Sequence, residues 1–189
     1  MVETQQALTL LGRFLGERGA AVELVLLGGA SLRARELTSR ATQDVDVFGI
    51  RLPDGSVRSA YPLDDVVVGA ARDVAEVLGL ATEPAWLDDR PGIDFEFGAP
   101  PRFEDRLERQ EFGALVVWHL ARSDILAIKV LVAAEQRGDP DQKHLEDVLA
   151  LRPTPSDLRH ALAYAEYAWT SSNASWPSLR LLLEELADA

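Results

Sequence analysis

Two stretches decide how this chain is read: Val22-Glu23-Leu24-Val25-Leu26-Leu27-Gly28-Gly29-Ala30-Ser31 and Gln43-Asp44-Val45-Asp46-Val47-Phe48. The apolar run Val22–Leu27, bounded by Gly19 before and Gly28-Gly29 after, predicts a buried strand. A short helix, Ala30–Leu37, is expected to start right after the glycines. Glycines at a strand-to-helix turn let the backbone take positive φ and approach a ligand closely. Backbone N–H groups at a helix N-terminus attract phosphate oxygens, and the Ser31 hydroxyl offers one more hydrogen bond. The second stretch alternates with period two. Asp44 and Asp46 fall on one face, and Val45 and Val47 anchor the other. Two hard oxygen ligands side by side suit Mg²⁺, with Mn²⁺ as a substitute, and such a pair can bridge two metals. Without a cation the two carboxylates would repel each other.

Working outward, residues 4–18 carry Leu8, Leu11, Phe14 and Leu15 at helical spacing. Pro53-Asp54-Gly55 signals a turn joining Val47–Leu52 to Ser56–Ser59. Pro62–Leu80 reads as a helix stopped by Gly79. Ile93–Phe97 alternates again, with Asp94 and Glu96 on one face, and predicts a further strand; Ala114–His119 predicts an apolar one. From Ser123 the pattern is helical, with helices expected to about Arg137, over Pro140–Leu151, over Ser156–Trp169 and over Trp176–Leu186, and with Pro153 and Pro155 as breaks. The fold class is therefore α/β (α+β): a small mixed sheet flanked by helices over 1–122, then a helical part over 123–189.

Composition narrows the function. About half of the residues are apolar (47%), enough for a real core, and with no cysteine there is neither a disulfide framework nor a thiolate site. His119, His144 and His160 do not form a zinc-ligand pattern. No apolar run reaches membrane-span length and no signal peptide is evident, so a cytoplasmic protein without a membrane partner is expected. The net charge of −12 counts against nucleic-acid binding through a general basic field. Arg33, Arg35, Arg40, Arg51 and Arg58 nevertheless crowd one stretch.

Gly28-Gly29-x-Ser31 followed by Arg40-x-Thr42-x-Asp44-Val45-Asp46-Val47 resembles the nucleotidyltransferase superfamily signature. The Arg-x-Thr-x-Asp-x-Asp form looks particularly like the AbiEii branch, which includes the mycobacterial MenT toxins of type IV toxin–antitoxin systems. Asp124-Ile125-Leu126-Ala127-Ile128-Lys129 looks like that branch's lysine-bearing helix, and Lys143-His144-Leu145-Glu146-Asp147-Val148 like its aspartate-bearing helix; His144 stands where related sequences often carry an aspartate. The resemblance covers roughly residues 22–150. It implies transfer of a nucleotidyl group from an NTP to an acceptor, with tRNA as the acceptor and an antitoxin protein as partner. It implies that Asp44 and Asp46 hold Mg²⁺. It implies a third carboxylate from a later strand, with Asp94 chosen over Glu96 as the shorter and more rigid ligand. It implies that Gly28, Gly29, Ser31 and Lys129 hold the triphosphate, that Asp147 belongs to the active site, and that the helical part completes the cleft.

Plainer readings stand beside these. Lys129 lies among Ile125, Leu126, Val132 and Ala133, so it must snorkel out or meet an anion. Asp147 also reads as an exposed helix carboxylate paired with Lys143. His119, inside an apolar strand, reads as a core histidine, and Tyr164, Tyr167, Trp169 and Trp176 as packing. Two other functions fit the same residues: a non-catalytic nucleotide- or partner-binding module, and a small-molecule nucleotidyltransferase of the antibiotic-modifying kind, for which Asp64, Asp65, Asp88 and Asp89 hint at an acidic acceptor pocket.

Overall fold

Leu8, Leu11 and Leu15 lie on one side of helix α1 (Thr4–Glu17) and are fully buried. A helix this short is marginal alone in water, so that apolar face holds it in place. The structure is a computed structural model describing residues 4–34, 44–80, 86–137, 142–169 and 176–187. Arg40 and Thr42 of the signature lie outside the described residues, as do the side chains of Asp94, Glu96, Trp169 and Trp176. The chain divides into two compact units, Met1–Glu96 with Glu104–Leu120, and Phe97–Phe103 with Ala121–Ala189.

The first unit is built on a six-stranded mixed sheet. Its central strand β1 (Val22–Leu27) has Leu24, Val25 and Leu26 fully buried, as a strand covered on both faces requires. β1 pairs antiparallel with β2 (Val45–Arg51) and parallel with β6 (Leu115–His119). β3 (Val57–Ser59) and β5 (Glu108–Phe112) add antiparallel to the outer sides of β2 and β6. β4 (Leu87–Asp88) pairs parallel with β2 beyond that order. Helix α2 (Gly28–Ala34) follows β1 without a linker, and α3 (Asp65–Leu78) ends on Gly79 in the left-handed conformation. α1 and α3 pack together over Leu24, Leu26, Val45, Val47, Leu115 and Val117, which forms the core. Each such side chain contributes about 2 kcal/mol of gross burial.

The mixed α/β class read from the sequence is what the chain adopts. Four local expectations change. Residues 93–97 are not a strand: a 3₁₀ turn over Arg90–Asp94 runs into a helical turn, α4 (Phe95–Gly98). Pro91 sets the first turn's φ, and a Cβ on Gly92 would come within 2.8 Å of the Tyr61 nitrogen, so this segment fits tightly against the end of β3. Ile93 is exposed while Phe95 stacks 4.9 Å from Phe48, so the apparent alternation does not mark one face. Helix α2 starts at Gly28, two residues before the expected start. β4 and β5 add to the expected strands. Pro155, read as a break before a helix from Ser156, is the first residue of that helix.

The second unit packs α6 (Lys143–Ala150), α7 (Pro155–Trp169) and α8 (Trp176–Ala187) against α5 (Arg122–Glu135). The α7 start is a capping box with proline in its first turn. Thr154 N–H and its hydroxyl both donate to Asp157 Oδ2 at 2.8 Å, and Asp157 N–H donates back to Thr154 Oγ1 at 3.2 Å. Arg122 Nη1 donates to the same carboxylate oxygen at 2.9 Å, and Nη2 to the Leu151 and Arg152 carbonyls. Burial alone would raise the Asp157 carboxyl, but Arg122 and Thr154 outweigh it and hold the group below its ordinary value.

Asp157→Ala should therefore cost about 1–2 kcal/mol at neutral pH, read by urea denaturation followed by circular dichroism. A lowered folded-state pKa stabilises fully above the unfolded value near 3.9, and that stabilisation fades as pH falls through the folded value. The difference between wild type and variant should shrink below about pH 4; a gap that stays constant down to pH 2 would show that the carboxylate's charge is not the source.

Candidate metal centre

Asp46 lies on β2, and its register partner on β1 is Leu27, the last residue before Gly28. On the other side of β2 its register partner is Asp88 of β4. Register partners on adjacent strands project to the same face, about 5 Å apart. Asp44, two residues before Asp46, points the same way. Sheet geometry alone therefore brings three carboxylates together. Each offers an oxygen, and these oxygens all lie within 4.8 Å of one another; all three residues are half-buried. Two oxygens trans across Mg²⁺ stand about 4.2 Å apart at about 2.1 Å from the ion, so small side-chain rotations suffice. Three hard carboxylates and no nitrogen or sulfur donor form a set suited to Mg²⁺ or Mn²⁺.

Gly28 makes room for this arrangement. Its φ is +80°, and a Cβ there would sit 1.9 Å from Asp46 Oδ2. The Asp46 carboxylate thus occupies the space that any other residue's side chain would fill. β4 is held in place from behind. Val45 N–H donates to the Trp86 carbonyl at 2.7 Å, and buried Trp86 donates from Nε1 to the Ala71 carbonyl of α3 at 2.8 Å.

Arg90 meets Asp88 in a fork. Its Nε donates to Oδ1 at 2.8 Å and to Oδ2 at 3.0 Å, and its Nη2 donates to Oδ2 at 2.5 Å. The Arg90 backbone N–H adds a bond to Oδ1 at 3.0 Å. This hydrogen-bonding holds the Asp88 carboxyl below its ordinary value. In return Asp88 first, then Asp44 and Asp46 through their charge, raise the Arg90 guanidinium.

The other residues singled out in the sequence lie as follows. Gly29 is buried in α2. Ser31 is fully buried, with Oγ 2.9 Å from His119 Nδ1. His119 Nε2 is 3.0 Å from Gln110 Oε1. An amide oxygen only accepts, so Nε2 carries a proton, and in the neutral ring Nδ1 then accepts from the Ser31 hydroxyl. His119 is thus a buried, hydrogen-bonded core histidine that ties α2 to β5 and β6. In the second unit, Lys129 meets an anion as its apolar neighbours require: Nζ donates to Asp147 Oδ2 at 2.6 Å, and both groups are buried. The two residues are each other's partners. Asp124, also buried, lies 2.9 Å from His160 Nε2. Tyr164 is buried with its hydroxyl donating to the Gly98 carbonyl at 2.8 Å.

The sequence reading names Asp88 only as a hint of an acceptor pocket, not as a partner of Asp44 and Asp46, and it does not reach Arg90. Leu87-Asp88 is a two-residue strand, too short for alternation to register. Their signal is indirect: an aspartate and an arginine two apart, beside a tryptophan in a Pro-flanked loop.

No protein-family model matches the chain, and no curated protein matches it. Among solved structures it is similar to the crystal structure of an antigenic nucleotidyltransferase-like protein from Paracoccidioides brasiliensis, at 14% identity and a TM-score of 0.44, over 96% of this chain and 92% of that one.

Two outcomes test the geometry. Gly28→Ala forces a side chain into the Asp46 carboxylate at a left-handed φ, so it should destabilise by about 2 kcal/mol and weaken Mn²⁺ binding, read by thermal melts and by paramagnetic resonance of free Mn²⁺. Lys129→Met takes the ammonium partner from the buried Asp147 carboxylate and should cost about 3–5 kcal/mol in denaturant unfolding. Lys129→Met combined with Asp147→Leu should recover most of that loss. A double variant as unstable as the single one would show that the pair itself is not what the charges depend on.

Proposed function

We propose that this chain is a metal-dependent nucleotidyltransferase that moves a nucleotidyl group from an NTP to an acceptor. One observation carries the reading: one oxygen from each of Asp44, Asp46 and Asp88 lies within 4.8 Å of the other two, at the end of a strand whose neighbour opens into Gly28-Gly29. Asp44, Asp46 and Asp88 would hold Mg²⁺ or Mn²⁺. Asp94, whose side chain lies outside the described residues, stays the alternative third ligand. A bound divalent ion there supplies charge neutralisation and orientation to a triphosphate. The protein's part is positioning: the β2 pleat fixes the Asp44–Asp46 spacing, and the β2–β4 register fixes Asp88. Chemistry of this kind rests mostly on preorganised charge.

By the family resemblance, Gly28, Gly29, Ser31 and Lys129 bind the triphosphate, Asp147 belongs to the site, tRNA is the acceptor and an antitoxin protein is the partner. The acidic composition does not favour a polyanionic acceptor through a general field. A tRNA acceptor would need local basic groups, and Arg58 and Arg51 lie on the β2–β3 strands. Among the described residues no helix is long and apolar enough to cross a membrane.

A second reading, a non-catalytic nucleotide- or partner-binding module, is favoured by one feature. Ser31 and Lys129, both assigned to phosphate, spend hydrogen bonds inside the protein, on His119 and on Asp147.

Incubating the purified protein with labelled NTPs, Mg²⁺ and total tRNA should label the RNA, and Asp46→Asn should abolish the label. Equal labelling by the variant would sink the mechanism. Mg²⁺-dependent nucleotide binding by calorimetry with no labelled product would favour the binding module.

A further inference from the structure

Arg90 stands beside the three carboxylates without belonging to the donor set. Its side chain is two-thirds exposed, while that of Asp88 is 11% exposed. Its backbone, by contrast, is anchored on both sides. Asp89 Oδ2 accepts from the Leu63 N–H at 2.9 Å, and the Gly92 carbonyl accepts from Ser59 Oγ at 2.6 Å. Pro91 follows it directly in the first turn of the 3₁₀ segment. A fixed base therefore carries a guanidinium that solvent can reach.

The hydrogen-bond arithmetic at Asp88 is full. A carboxylate has about four lone-pair sites, two on each oxygen. Oδ1 accepts from the Arg90 backbone N–H and from Nε; Oδ2 accepts from Nε and Nη2. All of these donors belong to one residue, and three of the four contacts come from its side chain. A cation approaching Asp88 must take lone pairs that the fork now holds. The fork's positive charge also opposes a divalent ion arriving among Asp44, Asp46 and Asp88.

We propose that Arg90 is a tethered counter-ion that competes with the divalent metal for Asp88, so that metal entry requires the guanidinium to swing off that carboxylate. The inference rests on the metal reading of the site given above. The tether keeps the guanidinium at high local concentration whatever the bulk salt, and the exposed arm allows it to leave without unpacking the core. Once displaced, it is a planar cation beside the metal-bound site, suited to an anionic phosphate oxygen.

Mn²⁺ binding to the full chain, measured by paramagnetic resonance without any nucleotide, tests this separately from activity. Arg90→Gln should bind Mn²⁺ about three- to tenfold tighter than wild type, the range set by losing an exposed bidentate ion pair and its repulsion toward an incoming cation. Arg90→Lys keeps the charge but not the fork, so it should fall between the two. Asp46→Asn serves as the reference for the site and should bind more weakly than wild type. If Asp46→Asn weakens binding while Arg90→Gln binds no tighter than wild type, the metal site stands and the competition is overturned. If wild type and Asp46→Asn bind equally, the metal reading and this inference fall together.

Discussion

Three carboxylates cannot be brought within 4.8 Å of one another without something to offset their repulsion. Like charges directly opposite on neighbouring strands are unfavourable, yet Asp46 and Asp88 are direct register partners. The surrounding structure is arranged to impose this pairing. β1 fixes one side of β2, Trp86 buries itself and bonds α3 to hold β4 against the other, and the apolar face of β2 is locked into the core through Val45 and Val47. Slipping β2 by one residue would send both valines to the aspartate face and both aspartates into the core. The hydrophobic face thus enforces the acidic one.

Gly28 is where the same constraint reaches the backbone. The strand β1 ends at the register partner of Asp46, and the next residue has no side chain. The positive φ turns the chain directly into α2, and the missing Cβ leaves the volume that Asp46 Oδ2 fills. A glycine whose value at first sight is access for a ligand is already needed for the carboxylate. The two roles do not conflict, since both follow from a bare backbone at the end of β1.

How much of this was legible depends on how the signal is carried. The Val22–Leu27 strand and the Asp44–Asp46 face are visible because continuous apolar runs and period-two alternation are local patterns. Gly79 and the α3 it ends are visible for the same reason. Ile93–Phe97 misleads because alternation in five residues does not distinguish a strand from a turn whose Ile93 faces water and whose Phe95 meets Phe48. β5 is hidden because Glu-Arg-Gln-Glu-Phe is an outer strand that is polar on both sides; charges there guard an exposed edge and leave no hydrophobic period. Asp88 is hidden for a deeper reason. Its place in the site comes from a two-residue strand pairing across more than forty residues of chain, a relation with no local trace. Lys129 was legible as a lysine that must either snorkel out or meet an anion. That the anion would be Asp147 was not, because the pairing depends on how α5 and α6 pack.

The contrast between the two ways of handling charge is itself informative. In the second unit, buried charges are closed off within the core: Lys129 with Asp147, both nearly inaccessible, and Asp124 with a histidine. Breaking either would take a partner from a buried carboxylate, so these pairs act as fixed parts of the packing. At the carboxylate cluster the cation paired with Asp88 is instead an exposed arginine on a rigid turn. A protein that needed those three carboxylates only for structure would gain from burying their partner too, or from replacing one aspartate with an apolar residue. Keeping the partner exposed lets it move off Asp88 without unpacking the core, as the proposed exchange with a metal ion requires. The siting of that arginine, as much as the carboxylates themselves, supports the proposed reading of the cluster as a metal centre.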